Sequence, residues 1–197
     1  MPKIYAVMGK SASGKDTIYK RLLEEESICL KKIVPYTTRP IRQEETNGVE
    51  YFFVTEEQLN ILEVQGKIIE CRVYNTIHGK WYYFTADDGQ INLDREDYLM
   101  ITTLEGYEKI RNYFGKEQVV PIYIEVEDGL RLERALKREK QQSMPKYKEM
   151  CRRFLADSED FSEDNLKAQH IEKRYVNIDF ELCLSKIIAD IQKEVGV

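Results

Sequence analysis

The run Gly9-Lys10-Ser11-Ala12-Ser13-Gly14-Lys15-Asp16-Thr17 constrains this chain more than any other stretch. It lies between the apolar Ile4-Tyr5-Ala6-Val7-Met8, a buried strand by its composition, and residues 17–26, where Ile18, Leu22 and Leu23 share one helical face. A glycine turn in that setting aims backbone N–H groups at one point and adds the positive end of the helix dipole. Phosphate oxygens bind there. Gly9 and Gly14 allow close backbone approach, and Lys15 reaches the β- and γ-phosphates of a nucleoside triphosphate. All nine residues are therefore candidate ATP contacts. Asp16 and Thr17 are candidate Mg²⁺ contacts, since Asp16 stands where a Ser or Thr usually follows the lysine and Thr17 can supply the hydroxyl instead.

Strand and helix signals alternate along the 197 residues, which predicts one α/β domain with a mostly parallel sheet covered by helices. Strands are expected at 32–36, 51–54, 68–74, 81–85, 98–103, 119–126 and 175–178. Helices are expected from Thr55, as a cap answered by Gln58, to Gly66, then over 105–114, 129–161 with a break near Ser143-Met144-Pro145, and 180–195. Pro121 is expected to mark a strand's beginning, because proline cannot donate to a central ladder. Asn47-Gly48 and His78-Gly79 are turn signals. The aromatic-rich middle, with Tyr82-Tyr83-Phe84, reads as a small β-subdomain inserted in the core.

A net charge of −5 argues against a general nucleic-acid surface. Cys29, Cys71, Cys151 and Cys183 form no C-x-x-C pair, and His78 and His170 complete no zinc pattern, which reads as reduced thiols in the cytoplasm. No apolar run approaches membrane-spanning length, and the N-terminus begins a strand rather than a signal peptide. Monomer and homodimer are both compatible with the sequence.

A second constellation narrows the ligand. Tyr36-Thr37-Thr38-Arg39-Pro40-Ile41-Arg42 is followed by Asn47-Gly48-Val49-Glu50-Tyr51-Phe52-Phe53-Val54. Two arginines and a tyrosine hydroxyl supply charged, directional donors for a monophosphate dianion. The alternative is a solvated loop balancing Glu44, Glu45 and Glu50. Glu70 can accept from the N1–H and amine of guanine and reject adenine, or sit as a surface glutamate at a strand end. Tyr82 either stacks on a base or faces the core.

These segments closely resemble the guanylate kinase family, whose pattern reads T-T-R-x-P-R, then G-x-x-Y-x-F-V. Gly66-Lys67-Ile68-Ile69-Glu70 resembles the family's G-x-F-I/L-E, Arg152-Arg153-Phe154 with Glu159 its lid segment, and Tyr175-Val176-Asn177 its V-x-N. The resemblance implies a P-loop three-layer fold. The core would be about 1–34, 98–137 and 162–197, the β-rich monophosphate-binding subdomain about 35–97, and the helical lid about 138–161. It also implies ATP- and Mg²⁺-dependent phosphorylation of (d)GMP, with small nucleotides as partners and neither nucleic acid nor membrane. Lys15, Arg39, Arg138 and Arg153 would be catalytic. Arg39, Arg42, Tyr51, Glu70 and Tyr82 would hold the monophosphate. The chain departs from the family at Asp16, at Pro35 in place of a serine, at Tyr83-Phe84-Thr85 in place of a small hydroxyl, and at Thr103 in place of an aspartate. Those departures keep open a kinase of the same fold with another acceptor, and a non-catalytic phosphopeptide-binding module.

Overall fold

The computed structural model describes residues 1–76 and 79–195. In chain order, β1 (Ile4–Met8) leads through the glycine loop into α1 (Lys15–Glu24), followed by β2 (Lys31–Lys32), β3 (Tyr36–Thr37) and β4 (Phe52–Phe53). Helix α2 (Glu56–Val64) precedes the long pair β5 (Ile68–Thr76) and β6 (Gly79–Ala86). Then come β7 (Tyr98–Ile101), α3 (Leu104–Phe114), β8 (Val119–Glu125), α4 (Asp128–Lys140), α5 (Tyr147–Asp160), α6 (Glu163–Ala168), β9 (Arg174–Val176) and α7 (Phe180–Val195).

A five-stranded sheet runs β2-β7-β1-β8-β9, with neighbouring strands parallel. Strand β1 is central, and its alternating side chains fill both faces. Tyr5 and Val7 join the cluster under α1 and α7, whereas Ile4, Ala6 and Met8 join the one under α3 and α6. Burial on both faces explains why Ile4–Met8 is continuously apolar rather than alternating. The chain leaves β1 toward β2 and β7 on one side and later toward β8 and β9 on the other. The glycine loop thus opens at the C-terminal edge of the sheet where strand order reverses, the usual place for a ligand crevice in such sheets.

A second, four-stranded sheet runs β4-β3-β6-β5 and forms the inserted β-rich part. The strand expected at 32–36 is divided between the sheets. Proline at 35 has no N–H to donate, and its carbonyl instead accepts from Phe52 N (2.9 Å), which starts the crossing into the second sheet. Pro121 lies inside β8 rather than at its beginning, opposite Ala6. The fold tolerates it because β9 pairs only with Tyr123, Ile124 and Glu125, so the outer side of β8 at Pro121 carries no ladder. The Thr55–Gln58 capping box forms in both directions, as expected. The break near Pro145 separates α4 from α5. The turn expected at His78-Gly79 includes Ile77 and His78, which lie outside the described residues. The four cysteines are free thiols.

Candidate active site

The loop after β1 is held in the cradle shape that its glycines suggest. Gly9, Ala12 and Gly14 have φ of 156°, 62° and 84°. A Cβ at Gly9 would stand 2.5 Å from Ile124 O, and one at Gly14 would stand 2.4 Å from Asn177 Nδ2. Both glycines are required by positive φ and by close neighbours together. Asn177 donates to Ser13 O (2.8 Å), which ties the loop to the segment after β9. Ser13 is wholly buried, and its hydroxyl has no partner among the described residues. A buried hydroxyl without a partner in the phosphate-binding loop is a candidate contact for a phosphate oxygen. Lys15 opens α1, about four-fifths buried, with Nζ 3.6 Å from the Asp16 carboxylate.

A divalent cation at a triphosphate takes most of its ligands from phosphate oxygens and water. No cluster of three or more His, Cys, Asp or Glu suited to a metal exists among the described residues. Asp16 and Thr17 are both exposed on the first turn of α1. Successive helical residues are about 100° apart, so the two side chains do not present to one point. Either Asp16, directly after Lys15, or Thr17 could contact a phosphate-held Mg²⁺.

The rim of the cradle is tied down by Arg131, one of the basic lid-side residues but not one of the two preferred as donors, and by Asp157, which sequence reasoning missed. Ser11 N donates to Asp157 of α5 (2.7 Å), and Arg131 Nε donates to Ser11 O (3.0 Å). Arg131 is only 1% exposed; it pairs with Asp128 and with Asp157 (3.3 Å), and its guanidinium lies 4.8 Å from the Phe154 ring. A helical Asp128–Arg131 spacing was the available sequence signal, but it is shared by many surface pairs. Of the two lid arginines chosen from sequence, Arg153 donates to Glu149 (2.8 Å) and Arg138 is exposed. Neither hydrogen-bonds to residues 9–17 among the described residues. Arg131 is the arginine that this structure gathers at the loop.

The second sheet has two faces with different jobs. Register places Tyr36, Tyr82, Phe84 and Cys71 together against Leu59 and Ala86, a small apolar core. The opposite face carries Glu70, Arg72, Tyr83 and Thr85. Tyr82, offered from sequence as a possible base-stacking residue, belongs to the packing face, because the pleat alternates and its neighbour Tyr83 takes the other side. Tyr83 meets the ring of Tyr51 edge-on at 5.6 Å and that of Tyr74 at 5.4 Å.

Arg39 is 4% exposed and clasps Glu45 with both arms of its fork (2.7 and 2.5 Å), while the rings of Tyr51 and Phe53 flank it at 5.2 and 5.3 Å. The Arg39 hydrogen bond holds the Glu45 carboxyl down at about 2. Burial, then the neighbouring Tyr83, raises the Tyr51 phenol above its ordinary range, so Tyr51 stays a neutral O–H. Arg42 is exposed, and its backbone N–H donates to Glu45 (2.9 Å). Glu45 thus bonds to the segment at both arginines, with Arg39 enclosed and Arg42 exposed.

Glu70 is buried. Thr85 donates to its Oε1 (3.0 Å), and Arg72 donates to Oε2 through Nε (3.0 Å) and to Oε1 through Nη2 (3.2 Å). Arg72 also reaches Thr103 Oγ1 (3.4 Å), the N-cap of α3. Burial opposes the Arg72 charge, but the Glu70 carboxylate outweighs it and holds its proton more firmly than usual. Thr103 lies two residues after β7, and Thr102 N bonds Val7 O (3.0 Å) on β1. The Glu70–Arg72 cluster is therefore anchored at the same edge of the central sheet as the cradle.

Comparison with known proteins gives the family and the fold. A family model described as "Guanylate kinase" matches residues 1–179. A guanylate kinase of Malacoplasma penetrans is 26% identical over 194 residues, covering 93% of this chain and 95% of the relative. One from Porphyromonas gingivalis is 25% identical over 190 residues, with 95% of each covered. In fold, the chain is similar to the crystal structure of guanylate kinase from Anaplasma phagocytophilum, with a TM-score of 0.65 at 24% identity over 98% of this chain and 86% of that one.

Proposed function

The chain belongs to the guanylate kinase family, and from that premise we propose how its residues pass the terminal phosphoryl group of ATP to GMP. The observation that carries the reading is the anchoring of two sites on one sheet edge. The cradle follows β1, and the buried Glu70 cluster is pinned through Thr103 to the end of β7 beside it.

The cradle N–H groups, Ser13 Oγ and Lys15 bind the β- and γ-phosphates of ATP. Arg42, Arg39 and the neutral Tyr51 hydroxyl bind the acceptor phosphate. Arg39 has already given three N–H bonds to Glu45 and Pro40 and also interacts with Tyr83, which leaves only part of its fork for the acceptor. Glu70 accepts from the Watson–Crick edge of the base. Asp16 or Thr17 would help hold Mg²⁺ at the donor phosphates, where the ion would supply charge neutralisation. Transfer is in line, with no covalent intermediate, so the protein's contribution is positioning and electrostatic stabilisation. Arg131 fixes the rim of the loop, and Arg138 and Arg153 reach the transferring group only if α5 and the α4–α5 connection close over it. Such closure would exclude water and protect ATP from hydrolysis.

ADP formation from ATP, measured against GMP, AMP, CMP and UMP, tests the reading. GMP should be turned over best. Lys15→Ala should lower kcat/KM for GMP by about a hundredfold or more, as expected for loss of a charged donor at the transferring phosphates. Turnover of another monophosphate but not GMP would overturn it.

A further inference from the structure

The acceptor positions of Glu70 are mostly filled by Arg72 and Thr85. An ionised carboxylate has about four acceptor positions. Here Oε1 takes Thr85 and Arg72 Nη2, and Oε2 takes Arg72 Nε, so three are filled. Guanine presents two donors, N1–H and the exocyclic amine, for the single position left. It also presents O6, which needs a donor. Thr85 cannot supply one, since its only hydroxyl proton is spent on Glu70 in a fully buried position. Arg72 can. Its Nη1 contact to Thr103 is long at 3.4 Å, and its fork carries five N–H groups. Gly106 lies beside the fork: a Cβ there would be in ordinary contact with the guanidinium carbon of Arg72, at 3.7 Å, and would collide with Thr102 Oγ1, at 2.3 Å.

Resting on the reading of Glu70 as the base contact, we propose that Arg72 is a specificity residue of the acceptor site. On GMP binding it releases one of its bonds to Glu70 and donates to guanine O6, while Glu70 accepts from N1–H and the amine. The exchange leaves no donor or acceptor orphaned, so it avoids the penalty that a buried unpaired group carries. Adenine is refused twice. Its 6-amino group meets a cation's donors, and its N1 lone pair meets a carboxylate.

The test pairs Arg72→Met with 6-thioguanosine monophosphate, which keeps N1–H and the amine but replaces O6 with sulfur, a weak acceptor. Wild-type enzyme should prefer GMP over the thio analogue. Arg72→Met should lower kcat/KM for GMP about tenfold to a hundredfold, the range for a bond to a charged donor. It should lower the value for the thio analogue less than about threefold, with KM for ATP unchanged. Arg72→Lys, which keeps the charge and guards against a folding failure of the methionine variant, should fall between the two for GMP. Equal losses on both acceptors, in either variant, would overturn the assignment and reduce Arg72 to a prop for Glu70. Wild-type enzyme that turns over no GMP would instead overturn the proposed function, and the role of Arg72 with it.

Discussion

At the scale of single residues, the acceptor side is organised by carboxylates as much as by arginines. Glu45 takes both arms of Arg39 and the N–H of Arg42, and its pKa is lowered from an ordinary 4.5 to about 2. A carboxylate depressed in this way adds stability above its unfolded pKa and loses it as pH falls through the folded one. Thermal unfolding of wild-type protein should therefore lose stability between about pH 4.5 and pH 2. Glu45→Gln should be less stable at neutral pH and should show a shallower decline across that window. A wild-type and variant difference that does not change with pH would remove the ion pair from the explanation. The arginines themselves stand out in the sequence because T-T-R-x-x-R is a local pattern. Which of them is buried is not local: Arg39 is enclosed by Tyr51 and Phe53, brought in by a strand pairing.

At the scale of elements, strands, caps and the glycine loop were legible because each depends on neighbours within a few positions. Thr55 and Gln58 are three apart, and their reciprocal bonds need only the helix they start. Face assignment on β5 and β6 was not legible. Ile68 pairs with Ala86, but Glu70 pairs with Thr85, so one extra residue enters β5 between them. That bulge turns Ile68 to the packing face and Glu70 to the site face, although plain alternation would put both on one side. Helix α5 shows the same dependence on distant partners. Its Asp157 is the link from Ser11 N and Arg131 to that helix. Asp157→Ala should destabilise the protein by about 1–2 kcal/mol, since Arg131 keeps Asp128 as a partner. Amide exchange over α5 (Tyr147–Asp160) should rise more than over α7. Uniform exchange changes across both helices would argue against a local anchor.

At the scale of the whole molecule, nucleotide binding should couple to global stability, because the cradle is built from β1 and braced from two distant segments. Ile124 closes on Gly9, and Asn177 closes on Gly14. A ligand that binds only this assembled form stabilises it by mass action, about 2.7 kcal/mol at a hundred times its dissociation constant. A non-hydrolysable ATP analogue with Mg²⁺ should raise the unfolding temperature of wild-type protein, and Lys15→Ala should abolish most of that rise at the same concentration. An equal rise in both proteins would place the analogue elsewhere.

Spacing along the chain was enough to establish the alternation of strands and helices, the phosphate cradle and the paired arginines, since each is encoded within a turn or a strand's length. Folding decided which side of each strand faces a ligand, which arginine is enclosed, and which carboxylates hold the arginines in place. Those outcomes follow from register, a bulge and contacts between segments as far apart as Ser11 and Asp157 or Ser13 and Asn177. The opening stretch from Gly9 to Thr17 illustrates both halves: its shape is local, but its support comes from Arg131, Asp157 and Asn177, which local spacing does not bring together.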